Sequence, residues 1–239
     1  MKNAIILCSG GLDSSVCSYY VKKRGYEKII ILFFNYNQRT LEQERKASKK
    51  IAENLQAEFV EMNLKEISEI STSLINKNEP ADKVSRKELK DSKQESDKYY
   101  VPCRNTIFLI YALALAESLQ IKNKETYNIF TGFKCEGKEA YPDTTSEFVE
   151  EMNKLKEIST SVKGNIIAPL IKKDKEEIVS LGKELGVKFE ETYSCYIGAG
   201  EKHCGTCLAC RLRQEAFYWA NVKDPTEYQK KMKDYREAK

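Results

Sequence analysis

Histidine is almost missing from this sequence: His203 is the only one. With a single imidazole, acid–base work falls to carboxylates, lysine or the substrate itself. A Walker loop is missing as well, since no G-x-x-x-x-G-K-[ST] run occurs. Transfer of a γ-phosphoryl group on such a loop is therefore unsupported. No stretch approaches the roughly eighteen apolar residues of a membrane span. Met1-Lys2-Asn3 leads straight into an apolar run too short for a signal peptide. These absences predict a cytoplasmic protein with no membrane partner. Excess charge of either sign is lacking too: 40 basic against 36 acidic side chains leave a net charge of +4. That balance permits RNA contact without requiring it, so no nucleic-acid partner is expected. There is no internal repeat and no interdomain linker.

What is present is an alternation of strand and helix. The 239 residues suffice for one large domain with at most a small appendage, burying about 70–75% of the unfolded surface. After the apolar run Ala4-Ile5-Ile6-Leu7, a helix is predicted from about Ser14 to Arg24, stopped by Gly25. Lys28 to Phe34 reads as a buried parallel strand. The polar residues Asn35 to Thr40 follow at its C-terminal end, where open α/β sheets place ligands. An amphipathic helix over Leu41–Asn54, a strand over Ala57–Met62 and a helix over Leu64–Leu74 come next. Ile107–Ala116, apolar on all sides, predicts a helix buried in the core. Strands at Asn128–Gly132 and Ile166–Ala168 flank a helix ending near Thr160. Asp174 and Glu177 form a capping box for a helix over Lys175–Leu185. Asp224, Pro225 and Glu227 are cap and first-turn residues for a last helix. The pattern is that of an α/β protein. It is interrupted from Asn76 to Lys98, where Lys, Glu, Asp and Ser dominate. That segment predicts a mobile insertion, either a solvated connector or a lid that shields an activated intermediate from water.

The chain is organised around Ser9-Gly10-Gly11-Leu12-Asp13-Ser14-Ser15. A strand ends in two glycines and enters a helix. Glycine permits φ > 0 and close approach to a ligand, and Ser and Asp are suited to cap the helix. Backbone N–H groups at such a start form a cradle for phosphate. An ordinary strand–turn–helix connection is the competing reading. This stretch resembles the SGGxDS loop of the PP-loop ATP pyrophosphatases. The resemblance implies a Rossmann-like parallel sheet with helices on both faces. It also implies attack on the α-phosphate of ATP, with pyrophosphate leaving.

Near the C-terminus stands Cys195-x8-Cys204-x2-Cys207-x2-Cys210. Four thiolates so spaced can converge on one tetrahedral ion, with Gly205 easing the turn. A full thiolate set leaves no open position, which favours structural zinc; an iron–sulfur cluster is the rival. His203 reads as a bystander. The expected organisation is a PP-loop domain over residues 1–190, carrying the 76–98 insertion, and a zinc-binding helical region over 191–239.

Loop and knuckle together resemble the 7-cyano-7-deazaguanine synthase family. Phe34-Asn35-Tyr36-Asn37-Gln38-Arg39 matches its F-x-Y-x-Q-R segment. Val101-Pro102-Cys103-Arg104-Asn105 matches V-P-x-R-N, Tyr141-Pro142-Asp143 matches Y-P-D, and Lys175 begins the K-x-E-I helix. Ser194-Cys195-Tyr196 and Cys204-Gly205-x-Cys207-x-x-Cys210-x-Leu212-Arg213 match the knuckle. In that family 7-carboxy-7-deazaguanine is adenylated, ammonia displaces AMP, and a second adenylation yields the nitrile. The implied nucleotide-binding residues are Cys8, Ser9, Gly10, Gly11, Leu12, Asp13, Ser14, Ser15, Val16, Cys17 and Ser18, with ATP and Mg2+ as cofactors beside Zn2+. Cys8 and Cys17, like Cys103 and Cys135, also read as packing thiols. Asp13, Arg39, Arg104 and Lys175 are the implied catalytic residues. Tyr36, Gln38, Arg104, Asn105, Tyr141 and Asp143 are the implied substrate contacts. A homodimer is compatible with the sequence.

The chain departs from the family pattern. Gly137 stands where an Asp is usual, Ala140 precedes Tyr141, Thr144-Thr145 replace Cys-Arg, and Thr40 replaces a His. These changes leave the ATP chemistry in place. They open a second reading, in which the activated acid is joined to another amine, even a protein amine, in antiphage defence. A third is a PP-loop tRNA-modifying enzyme or a zinc-knuckle RNA-binding protein.

Overall fold

The apolar run at residues 29–34 is buried along its whole length, as expected of a central strand covered on both faces. It belongs to a five-stranded parallel sheet in a computed structural model, which describes residues 2–79, 82–134, 141–198 and 200–230. The elements run β1 (Asn3–Leu7), α1 (Leu12–Lys23), β2 (Lys28–Asn35), α2 (Leu41–Leu55), β3 (Glu58–Asn63), α3 (Ile67–Ile70), α4 (Lys93–Asp97), α5 (Arg104–Asn123), β4 (Tyr127–Thr131), α6 (Ser146–Ser159), β5 (Ile166–Ile167), α7 (Lys175–Glu184) and α8 (Leu208–Trp219). The strand order is β3-β2-β1-β4-β5. The chain therefore winds outward from β1 to one edge, then returns to β4 on the other side. Ile5 sits level with Ile30 on one neighbour and Ile129 on the other. The gap between β1 and β4 is the point where strand order reverses, and open α/β sheets bind ligands there.

Alternate residues of each strand feed separate cores. Ile5, Ile30, Leu32 and Phe34 pack with Leu109, Ala112 and Leu113 of α5 and Met152 of α6. Ala4, Ile6, Ile29 and Ile31 face Val16 and Val21 of α1, Ile51 and Leu55 of α2, Ile178 of α7 and Phe217 of α8. The expected sheet with helices on both faces is the fold.

Four local expectations are corrected. Helix α1 starts at Leu12 rather than Ser14, and no side chain caps it; Ser14 Oγ instead donates back to the Gly11 carbonyl at 3.2 Å. The helix predicted over 64–74 shrinks to the four residues of α3. Ser71 Oγ accepts from the Ser73 N–H and Ser73 Oγ from the Ile75 N–H, so hydroxyls there compete with helical hydrogen bonding. Helix α5 is buried on one face only, with Ile110 and Tyr111 each 42% exposed. No helix opens at Asp224 among the described residues. Residues 222–230 run without helix, and the His203 N–H and carbonyl bond to Glu227 and Gln229. Asp224 Oδ1 accepts from Thr226 N and Arg213 Nε. The carboxylate that reads as a helix cap is used to hold a buried guanidinium.

Within the polar 76–98 segment, the described residues are mostly exposed, and Val84 anchors them to the body of the fold. Val84 is buried, its N–H donates to Thr206 O and its carbonyl accepts from Arg211 Nε. Among the described residues, no helix is long and apolar enough to cross a membrane.

Candidate active site and metal centre

A cavity of about 360 Å³ opens at the strand-order reversal, within the size range of small-molecule sites. Its floor is the turn between β1 and α1. Gly10 has φ +76°, and a Cβ there would stand 2.5 Å from Ala47 Cβ on α2. Only glycine fits that conformation and that approach together. Gly132, just after β4, is pressed as closely: a Cβ would lie 2.8 Å from Ser14 Cα. These contacts draw the first turn of α1, the middle of α2 and the end of β4 into one place. Ser48 Oγ adds a hydrogen bond to the Cys8 carbonyl at 2.9 Å. The uncapped N-terminus of α1 thus faces a cavity. Its orphan N–H groups and dipole favour an anion.

Of the implied nucleotide-binding residues, Cys8, Ser9, Gly11, Leu12, Asp13 and Ser14 line the cavity. Gly10, Ser15, Val16, Cys17 and Ser18 are buried behind them. Cys17 donates to the Thr131 carbonyl, and burial pushes its thiol far up. Lys175, at the start of α7, reaches Asp13 Oδ2 at 3.3 Å. Asp13 Oδ1 is buried and accepts no hydrogen bond among the described residues. Arg104 and Tyr36 also line the cavity, and Arg104 Nη1 donates to Tyr36 Oη at 3.3 Å. Burial pushes the Tyr36 phenol up to about 12. Arg39 is placed elsewhere: it does not line the cavity, and its Nη1 donates to the Glu79 carbonyl at 2.9 Å.

Asn105 and Tyr141 line the cavity while Gln38 and Asp143 do not. Asp143 Oδ2 accepts from the Asn105 N–H, so the Tyr-Pro-Asp turn ties down the first turn of α5. Tyr141 Oη donates to the Ser96 carbonyl at 2.7 Å, linking that turn to the polar segment. Gln38 Nε2 donates to Glu44 Oε2 and to the Phe34 carbonyl, both at 3.1 Å.

Two departures from the family pattern, Thr40 and Thr144, also line the cavity. Thr145 caps α6, its hydroxyl accepting from the Phe148 N–H. Cys135, Gly137 and Ala140 lie outside the described residues.

Sequence reasoning missed two charged residues of the cavity. Lys134 follows β4 beside the turn; burial, then the neighbouring Lys175, lowers its ammonium to about 8. The signal for it was its position at the C-terminal end of a central strand. Glu44 on α2 is the other. Burial raises its carboxyl above the ordinary value, against hydrogen bonds from Thr40 and Gln38. The four-residue spacing from Thr40 was the available hint, but Glu42 and Glu44 look alike in a charged helix.

The four knuckle cysteines are buried, with sulfurs within 4.8 Å of one another. Such a cluster could hold a metal ion. The Thr206 and Cys207 N–H groups donate to Cys204 Sγ at 3.3 Å, and the Cys204 N–H to Cys195 Sγ at 3.4 Å, as thiolate ligands require. Hydrogen bonding within the cluster, Cys195 foremost, lowers the Cys204 thiol and raises those of Cys207 and Cys210. Four adjoining thiols cannot ionise together without a cation. His203 stands apart: its Nε2 accepts from the Ser194 N–H at 2.9 Å, and burial lowers it to about 4.

A parallel sheet with a glycine turn at its reversal point, a cation–carboxylate pair beside that turn and a four-cysteine cluster are the features on which the resemblance to the PP-loop enzymes rests. A family model described as "Queuosine biosynthesis protein QueC" matches residues 3–221, and the chain belongs to that family. It is 39% identical over 236 residues to the 7-cyano-7-deazaguanine synthase of Methanococcus maripaludis strain C7, covering 94% of this chain and 98% of that one. The synthase of Methanocaldococcus jannaschii is 39% identical over 234 residues, with the same coverages. That of Methanoculleus marisnigri is 34% identical over 234 residues, covering 96% of this chain and all of its own.

Proposed function

We propose that this chain adenylates 7-carboxy-7-deazaguanine with ATP and, taking up ammonia, carries it through the amide to 7-cyano-7-deazaguanine. The observation that carries this reading is one cavity holding an uncapped helix start, the Asp13–Lys175 pair and Lys134. It occurs in a chain similar over 94% of its length to a protein named for that product.

The substrate carboxylate oxygen attacks the α-phosphorus; an O–P bond forms, the α–β bridging bond breaks, and pyrophosphate leaves with the electron pair. Lys175, Lys134 and the first-turn N–H groups of α1 neutralise the leaving charge from preorganised positions. An acyl-adenylate carries its own leaving group, so no protein nucleophile is needed. Ammonia nitrogen attacks the acyl carbon and AMP departs. A second adenylation on the amide oxygen, followed by loss of AMP and the two amide protons, gives the nitrile. Asp13 Oδ1, buried without a donor, fits a magnesium ion, which supplies charge neutralisation on the phosphates when bound. The buried all-cysteine set fits zinc, which would cross-link the knuckle when bound.

Mass spectrometry of protein, ATP, magnesium, 7-carboxy-7-deazaguanine and ammonium tests the reading. The expected products are AMP, pyrophosphate and the nitrile. Absence of acid-dependent AMP overturns the reading. Arrest at the amide, or a mass gain on a protein amine, replaces it with amide conjugation.

A further inference from the structure

Resting on the substrate reading above, we infer that Glu44 is the specificity-determining residue for the purine-like ring, its carboxylate accepting the N1–H and 2-amino donors of the deazaguanine. Charge in the cavity is divided. Lys134 interacts with Lys175, Asp13, Asp174 and Glu176, all around the glycine turn. Glu44 interacts instead with Thr40, Gln38 and Arg104. A flat acid whose carboxylate reaches the lysine end therefore presents its far edge to the end where Glu44 and Arg104 line the cavity.

That far edge of a guanine-type ring offers two parallel N–H donors, and a carboxylate offers two parallel acceptors with nothing to donate. Glu44 is held for this. Its Oε1 accepts from Thr40 Oγ1 at 2.5 Å and its Oε2 from Gln38 Nε2 at 3.1 Å. Gln38 is fixed in turn by the Tyr36 N–H and the Phe34 carbonyl. Each carboxylate oxygen keeps a second lone pair, and the side chain lines the cavity. Phe34 and Phe108, stacked at 4.1 Å, and Leu32 give the same cavity an apolar wall suited to a flat ring. Thr40, one of the departures from the family pattern, is thus one of two residues that orient this acid.

The test measures pyrophosphate release by wild type and Glu44→Gln with 7-carboxy-7-deazaguanine and with its analogue lacking the 2-amino group. Wild type is expected to show a KM for the analogue about 10- to 100-fold higher, the worth of a hydrogen bond to a charged group. Glu44→Gln is expected to raise KM for the natural acid by a similar factor and to erase the discrimination. Its KM for ATP should stay within about twofold, which also reports an intact fold. The assignment is overturned if wild type does not discriminate, a result that needs no variant. It is also overturned if Glu44→Gln still discriminates, or if its KM for ATP moves with that for the acid. No pyrophosphate from wild type with either acid removes the substrate reading itself, and this assignment with it.

Discussion

Asp13 and Lys175 are 162 positions apart in sequence and 3.3 Å apart in space. A strong turn motif at one end and a capping signal at the other made both legible. Replacing Lys175 by Met should lower the rate of acid-dependent pyrophosphate release about 100-fold or more, as expected for a preorganised charge on a transition state; a stopped-flow or coupled pyrophosphate assay reads it. Lys134 gives a pH signature. Its ammonium, lowered to about 8 mainly by burial, is present below that pH and lost above it. Binding of ATP anions should therefore weaken as pH rises through about 8, seen as a rising KM for ATP. Lys134→Arg, which stays protonated, should flatten that limb. Lys134 and Glu44 were hidden in the sequence for a physical reason. A charged residue on a helix face or in a loop reads as solvated until the fold reveals that it faces a cavity.

Secondary structure was most legible where pattern and chemistry agreed. The Lys28–Asn35 strand and the Asp174–Glu177 helix start were plain, the latter with the Asp174 N–H donating to Glu177 Oε2 at 2.8 Å. It was least legible where side chains compete for backbone groups, as at Ser71 and Ser73, and where a cap motif serves another purpose, as at Asp224. That second use is testable. Arg213 is fully buried, bonded to Asp224, Thr192 Oγ1, Ser194 Oγ and the Phe189 carbonyl. Asp224→Ala leaves the guanidinium without its counter-charge, at a cost of about 3–5 kcal/mol. Calorimetry should show Tm falling on the order of 10 °C. Gly10→Val should act differently. The left-handed conformation alone costs roughly 1–2 kcal/mol, and the new side chain must push α2 off the turn. ATP affinity should therefore suffer more than Tm, measured by nucleotide titration alongside melting.

The architecture as a whole was legible because alternating elements leave few topologies. Its sidedness was not. Ile107–Ala116 reads as core all round, yet Ile110 and Tyr111 are exposed, since hydropathy cannot tell a helix between two layers from one on the outside. The knuckle is tied to the glycine turn: Cys195 lines the cavity, and Tyr193 before it donates its N–H to the Gly10 carbonyl at 2.8 Å. If zinc holds the four cysteines, chelation should release about one ion per chain by metal analysis. It should lower Tm and slow turnover together, because the cavity wall is part of the cluster. A brown protein with visible absorbance would replace zinc by an iron–sulfur centre.

Phosphorus NMR of a running reaction tests the central claim most directly, because it shows which bond of ATP breaks. Attack at the α-phosphorus predicts AMP and pyrophosphate in equal amounts, only when the deazaguanine acid is present, with both signals growing at least about 100-fold more slowly in Lys175→Met. ADP and inorganic phosphate in their place would mean that the γ-phosphoryl group is the one transferred, and would contradict the account.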